Sequence, residues 1–144
     1  MDLRKTEEEK MAPWLAAITD SLEVLHKQDE NPSSSLNYIM EKANIQFKSV
    51  NFMRGRSIQN AFVFLDECQN LTASQLKTII TRCGEGTKLV CCGNLAQIDS
   101  NYLSAVTSGL TYIVERFKDF DGSANVYLNG VVRSRLASFA EEKL

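Results

Sequence analysis

The sequence is poor in metal ligands, in long apolar runs and in glycine at the spacing that phosphate binding asks for. Its 144 residues contain one histidine, His26, and four cysteines, Cys68, Cys83, Cys91 and Cys92. No two cysteines have C-x-x-C spacing, and His26 lies far from all four in sequence. A zinc site, built from paired ligands at short spacings, is therefore not expected. Reduced thiols buried in a cytoplasmic protein are the expectation instead. No apolar run reaches the roughly 18 residues of a membrane span. Met1-Asp2-Leu3-Arg4-Lys5 leads into a charged stretch and not into an apolar signal core, so export is not expected. The seven glycines are Gly55, Gly84, Gly86, Gly93, Gly109, Gly122 and Gly130, and no pair forms Gly-x-x-x-x-Gly-Lys-Ser/Thr. The backbone cradle that this pattern wraps around a phosphate chain is not encoded in these residues.

What is present is ordinary globular composition. Sixteen Lys and Arg stand against 18 Asp and Glu, a net charge of -2, and 44% of residues are hydrophobic. Disordered chains lack that apolar mass and carry a larger charge imbalance. The balance also argues against a surface made mainly to coat nucleic acid, though not against a local basic patch. The length suits a single domain spanning 1–144, able to bury about 70% of its unfolded surface.

Residues 1–44 read as a helical lead-in. Thr6 and Glu9 have capping-box spacing, and Pro13 fits a first helical turn. Leu15, Ile18, Leu22 and Leu25 then recur at helical steps, predicting an amphipathic helix to about residue 28. A loop follows over 28–35, and Leu36, Ile39, Met40 and Ala43 suggest a second helix. Residues 45–52 read as an edge strand with a phase slip near Ser49.

The core of the reading begins at Ala61-Phe62-Val63-Phe64-Leu65. The run is apolar throughout, as in a parallel strand buried on both faces. It ends in Asp66-Glu67-Cys68-Gln69-Asn70. Thr72 and Gln75 then form a capping box, Leu76, Ile79, Ile80 and Cys83 an apolar stripe, and Gly84 a stop. A second strand, 88–92, ends at Gly93-Asn94-Leu95-Ala96-Gln97. This strand–helix–strand unit fits a right-handed crossover, which brings Asp66-Glu67 and Asn94…Gln97 to one sheet edge. In open α/β sheets that carboxyl edge is where ligands bind. Leu110, Ile113, Val114 and Phe117 mark a further helix, 119–122 a turn, 124–128 a fourth strand, and Val132, Leu136, Phe139 and Ala140 a last helix.

An apolar strand ending in Asp-Glu is the Walker B pattern of P-loop nucleoside triphosphatases. Chemistry explains the pair. The first acid, Asp66, would hold Mg²⁺ through its water shell. The second, Glu67, would orient and deprotonate an attacking water. Acids serving only as turn residues or caps are the plain alternative for this strand taken alone.

Two boxes together say more. Asp66-Glu67-Cys68-Gln69 resembles the Asp-Glu-Ala-Gln box of superfamily one helicases, and Gly93-Asn94-Leu95-Ala96-Gln97 resembles their next motif, Gly-Asp-x-x-Gln. The longer run of Arg54-Gly55-Arg56-Ser57, 62–70, 81–88 and Gln97-Ile98-Asp99 resembles the PhoH family of ATPases. Pro13-Trp14, Ser108-Gly109-Leu110, Glu115-Arg116-Phe117 and Val132-Arg133-Ser134 extend the likeness to nearly the whole chain.

The resemblance implies an α/β fold, a parallel sheet covered by helices on both faces, as a partial P-loop fold related to superfamily one helicase cores. Residues 45–144 would be its Walker B and sensor-bearing core, without the first strand, P-loop and first helix. It implies ATP and Mg²⁺ as ligands, ring-shaped homo-oligomers, and a link to RNA remodelling. Gln97 would sense the terminal phosphate, and Gln69 and Asn94 would bind nucleotide beside it. Asn94 stands where the family usually has Asp, which leaves one carboxylate fewer near the metal. Arg82 and Arg133 match family arginines and would act against the terminal phosphate, and Arg54 and Arg56, which flank a glycine, would bind phosphate or a nucleic-acid backbone. For each arginine a solvated surface role stays open, and for Arg82 a favourable charge at a helix C-terminus. The alternative to an ATPase is a non-hydrolysing regulatory or assembly module that pairs with a P-loop-bearing chain.

Overall fold

The computed structural model describes residues 7–25, 38, 41–42, 44–50, 55, 57–130 and 132–144. Its elements are α1 (Glu7–Leu25), β1 (Phe62–Leu65), α2 (Ala73–Ile80), β2 (Lys88–Cys91), α3 (Gly109–Arg116) and α4 (Arg135–Lys143). A single 3-10 turn, Cys68–Asn70, stands between β1 and α2. The described residues gather into two compact units. One holds the chain up to Phe62 together with Ile79–Lys88, and the other holds Val63–Thr78 and Leu89–Leu144.

The two strands form one sheet. Lys88 N donates to Ala61 O at 2.9 Å and Cys92 N to Leu65 O at 2.8 Å. The acceptor advances from 61 to 65 as the donor advances from 88 to 92, so β1 and β2 run parallel. The α/β class expected from the sequence is therefore present. The expectation that helices cover both faces is corrected. Successive side chains of a strand point to opposite faces. Leu65 is buried and Val63 half-buried on one face, while Phe62 and Phe64 on the other are 67% and 60% exposed. An unbroken apolar run marks a strand that can be buried twice; here only one face is covered among the described residues.

In the first unit, α1 forms as its spacing predicts, but of its stripe Ile18 and Leu25 are exposed and Leu22 is half-buried. The expected continuation of this helix past residue 25 and the 28–35 loop lie outside the described residues. Of the second expected helix, Tyr38, Glu41 and Lys42 are described and helical. The expected strand at 45–52 is corrected: residues 45–49 form no strand, and 51–52 lie outside the described residues. Asn44 turns the chain at φ 48, and the ladder position beside Cys83 is taken by Ile58 instead. Ile58 N donates to Arg82 O at 2.8 Å, and Gly84 N donates to Ile58 O at 2.6 Å. A strand-like pattern without a free neighbour gains no ladder.

Gly84 also differs from its expected role. Helix α2 ends at Ile80 and tightens through Arg82 N to Ile79 O and Cys83 N to Ile80 O. A Cβ on Gly84 would lie 3.0 Å from Gln59 Cγ and 3.1 Å from Ser57 Oγ, so glycine here permits close approach of two chain segments.

In the second unit, the capping box of α2 forms as read. Gln75 N donates to Thr72 Oγ1 at 3.1 Å and Thr72 N donates to Gln75 Oε1 at 2.9 Å. Leu76 is fully buried. Helix α3 starts at the cap Ser108, and the 119–122 turn closes through Phe120 N to Phe117 O and Ser123 N to Phe120 O. The fourth strand expected at 124–128 is corrected: the segment is irregular, with Val126, Tyr127 and Leu128 about four-fifths exposed. No neighbouring strand among the described residues offers it hydrogen bonds. Helix α4 starts at the cap Ser134, whose Oγ accepts from Ala137 N at 3.2 Å. Its Leu136 and Phe139 remain exposed.

Candidate functional site

The two loops that the sequence singles out meet where the strands end. Leu65 O accepts both Cys92 N and, at 3.1 Å, the Cys68 thiol. Cys68 N donates to Cys92 O at 2.9 Å, and the Cys68 side chain is fully buried. The turn after β1 is thus bolted to the end of β2 from both sides of its own peptide.

Upon this anchor stand the acids. Asp66 is exposed, and its Oδ1 accepts Glu67 N at 2.9 Å. Glu67 is exposed too and holds a left-handed backbone, φ 54 and ψ 35. A residue with a Cβ pays about 1–3 kcal/mol to stay there, and such strain gathers at functional sites. The following Gln69 is 1% exposed. Its Nε2 donates to the Glu67 carboxylate and, at 3.1 Å, to Gln97 O. Its Oε1 accepts Asn94 N at 3.2 Å. Both polar atoms of this buried amide are occupied, as burial requires.

The second loop is ordered by its own bonds. Asn94 Oδ1 accepts Ala96 N at 3.0 Å, and Gln97 N donates to Asn94 O at 2.9 Å. Asn70 Oδ1 reaches across to accept Asp99 N at 2.8 Å. Gly93 makes the approach possible: an added Cβ would lie 2.6 Å from Gln69 Oε1 and 2.9 Å from Leu110 Cδ2.

Of the residues expected at the site, Asp66, Glu67, Gln69, Asn94 and Gln97 are brought together. Gln69 is placed as a buried brace between the two loops. The Asn94 side chain shapes its own loop. Gln97 is exposed and receives Gln69 only through its main chain. Arg133 is exposed and precedes the cap of α4. Arg82 is half-buried and belongs to the other unit. Arg54 and Arg56 lie outside the described residues.

Three features of the site escape a reading of motifs. They are the left-handed Glu67, the close approach at Gly93, and Ser108, whose Oγ donates to Gln69 O at 2.9 Å. Only Ser108 has a local signal, a serine before Gly-Leu at a helix start, which is N-cap chemistry.

The thiols beneath the turn influence one another. The Cys91 side chain, and then burial, push the Cys68 thiol far up, while Cys68 in turn pulls Cys91 down. Burial raises Cys92, and the charge of Asp66 raises it further. Among the described residues no group of three or more His, Cys, Asp or Glu is placed to hold a metal. The donors on offer are two adjacent exposed carboxylates, one of them with an oxygen already bonded to backbone. That set suits a hard cation which keeps most of its waters and takes its remaining oxygens from phosphate, as Mg²⁺ does.

The family model described as PhoH-like protein matches residues 2–143. Protein PhoH2 of Bacillus subtilis (strain 168) is 42% identical over 137 residues, 95% of this chain and 31% of the relative. A PhoH-like protein of Synechocystis sp. is 37% identical over 123 residues, 85% of this chain and 35% of the relative. A PhoH-like protein of Mycobacterium tuberculosis (strain ATCC 25618 / H37Rv) is 36% identical over 132 residues, 90% of this chain and 36% of the relative. The chain spans about a third of the length of these relatives.

Proposed function

The chain belongs to the PhoH-like protein family, and from that premise we propose that its two loops are the metal- and water-handling half of a nucleoside-triphosphate hydrolase. The observation that carries the proposal is the buried Gln69 amide, which fixes the Glu67 carboxylate and joins both loops at the carboxyl ends of two parallel strands.

Mg²⁺, when bound with ATP, would neutralise charge that develops on the transferring phosphate. The chain's own residues do the rest. One Asp66 oxygen accepts Glu67 N–H, and the other would hold the metal through its water shell. Glu67 accepts the proton of a water as that water's oxygen bonds to the terminal phosphorus. The bond from this phosphorus to the bridging oxygen breaks, and ADP leaves with the electron pair. Gln69 holds the Glu67 carboxylate in one orientation, so little reorganisation is needed during the step. Gln97 offers an exposed amide that donates to a terminal phosphate oxygen. As the family resemblance implies, Arg82 and Arg133 would supply positive charge at the terminal phosphate in a homo-oligomer, and Arg54 and Arg56 would contact phosphates. The cradle for the phosphate chain comes from residues outside these 144, and RNA remodelling would use the energy released.

A second reading is favoured by the bare Phe62–Phe64 face. Here the chain is an assembly module that docks a P-loop-bearing polypeptide without itself turning over nucleotide. Mn²⁺, a paramagnetic stand-in for Mg²⁺, tests the first reading. Titrated into the ¹⁵N-labelled chain, it should broaden the amide signals of Asp66 and Glu67 first, and Asp66→Ala should remove the effect. Broadening centred elsewhere would overturn the proposal.

A further inference from the structure

Ser108 opens α3 and is fully buried. A serine hydroxyl has one proton to give and two lone pairs. Here the proton goes to Gln69 O at 2.9 Å, and one lone pair accepts Leu110 N at 3.3 Å. The same oxygen therefore caps α3 and holds the backbone of the residue whose side chain holds Glu67. These partners lie 39 residues apart.

Neighbouring contacts make the joint rigid. Gly109 N donates to Leu71 O at 2.8 Å. A Cβ at Gly109 would lie 2.6 Å from both Leu71 O and Thr72 C, so the helix start rests directly on the chain that leaves the turn. Leu110, one residue on, packs beside Gly93, where an added Cβ would lie 2.9 Å from its Cδ2. The first three residues from the cap thus meet the backbone of the site turn, the chain that leaves it, and Gly93 of the second loop.

We infer that Ser108 is a positioning residue through which helix α3 sets the Glu67 carboxylate, by way of Gln69. The inference rests on the proposed role of Glu67 but concerns a different residue. A displacement of α3 pulls on the Gln69 carbonyl, and the Gln69 amide is shared among Glu67, Gln97 and Asn94. Movement at the helix therefore reaches the carboxylate and the second loop together. A cap alone would require only the bond to Leu110 N; the bond to Gln69 O adds the link to the site.

The experiment is NMR of the ¹⁵N-labelled chain, read at the side-chain amide of Gln69. In the unaltered protein its two protons should exchange at least about tenfold more slowly than those of the exposed Gln75, as a buried, bonded amide does. Ser108→Ala should bring the exchange toward that of Gln75, and Ser108→Thr, which keeps the hydroxyl, should restore it. The amide of Lys88, bonded to Ala61 O in the other unit, reports whether the variant is folded. Should Ser108→Ala not fold, hydrogen exchange of the unaltered chain decides: the Gln69 side chain and the Leu110 amide should open with one common rate. A Gln69 amide unchanged in Ser108→Ala, or exchanging independently of Leu110, would overturn the inference. Mn²⁺ broadening at Asp66 and Glu67, measured on the same samples, separates the two claims. Its absence would sink the nucleotide reading and leave the Ser108–Gln69 link to be judged on its own readout.

Discussion

Gln69 donates its side-chain Nε2 to the main-chain carbonyl of Gln97 at 3.1 Å, across 28 residues of sequence. Through this bond the turn after β1 and the loop after β2 become one surface, with the Glu67 carboxylate fixed by the same nitrogen. The relationship explains why a buried glutamine belongs two residues after an exposed acid. Its amide can donate twice and accept, which no apolar or acidic side chain of that size can do.

The left-handed backbone of Glu67 predicts a stability order that charge alone would not. Both Glu67→Gly and Glu67→Ala remove the bond to Gln69. Only glycine also relieves the backbone, so it should unfold at higher temperature, by about 1 kcal/mol of stability. Thermal unfolding of the two variants checks this, and an alanine variant as stable as the glycine one would contradict the strained turn.

Much of this site was legible in the sequence because it is local. The strand β1, the capping box at Thr72 and Gln75 and the strand β2 follow from periodicity and short spacings, and the meeting of Asp66-Glu67 with Asn94 and Gln97 follows from the right-handed crossover that joins the two strands. Ser108 was not assigned to the site, because a bond between residues 39 apart leaves no local pattern. The strands expected at 45–52 and 124–128 failed for a related reason. Their apolar alternation describes a pleated surface, but a strand exists only where a neighbour accepts its hydrogen bonds. Beside Cys83 that neighbour is Ile58, in a stretch with no strand-like pattern. The apolar run at 61–65 likewise records what can be buried, and the bare Phe62 and Phe64 show that capacity unused here.

That bare face predicts a contrast between two apolar truncations. Phe64→Ser, at a side chain 60% exposed, should cost less than about 1 kcal/mol. Leu76→Ala, at a fully buried position, should cost about 2–5 kcal/mol. Phe64→Ser should also lower light scattering at high protein concentration, since large apolar patches promote association. Urea unfolding and scattering on the same preparations test both parts, and equal destabilisation by the two substitutions would contradict the placement of Phe64.

The three thiols under the turn predict an order of alkylation. A thiol reacts as its thiolate, so the group with the lowered pKa reacts at the lowest pH. Cys91 is pulled down by the neighbouring Cys68 side chain, whereas Cys92 is raised by burial and Cys68 is raised most. As pH increases, iodoacetamide should therefore modify Cys91 first, Cys92 next and Cys68 last, as read by peptide mass spectrometry. Early modification of Cys68 would mean that the thiol is not held against Leu65 O beneath the acids.

The central claim is that Glu67 handles the attacking water in a triphosphatase site completed by residues outside this chain. It is tested most directly by exchanging the matching segment of Bacillus subtilis PhoH2, 42% identical over 137 residues, for this chain and measuring Mg²⁺-dependent ATP hydrolysis. The exchanged protein is expected to hydrolyse ATP, and Glu67→Gln within it should lower turnover by at least ~100-fold while nucleotide binding is kept, because a general base contributes about 10²–10⁴. Hydrolysis that survives Glu67→Gln within a few-fold, or its loss on exchange where the parent hydrolyses ATP, would contradict the account.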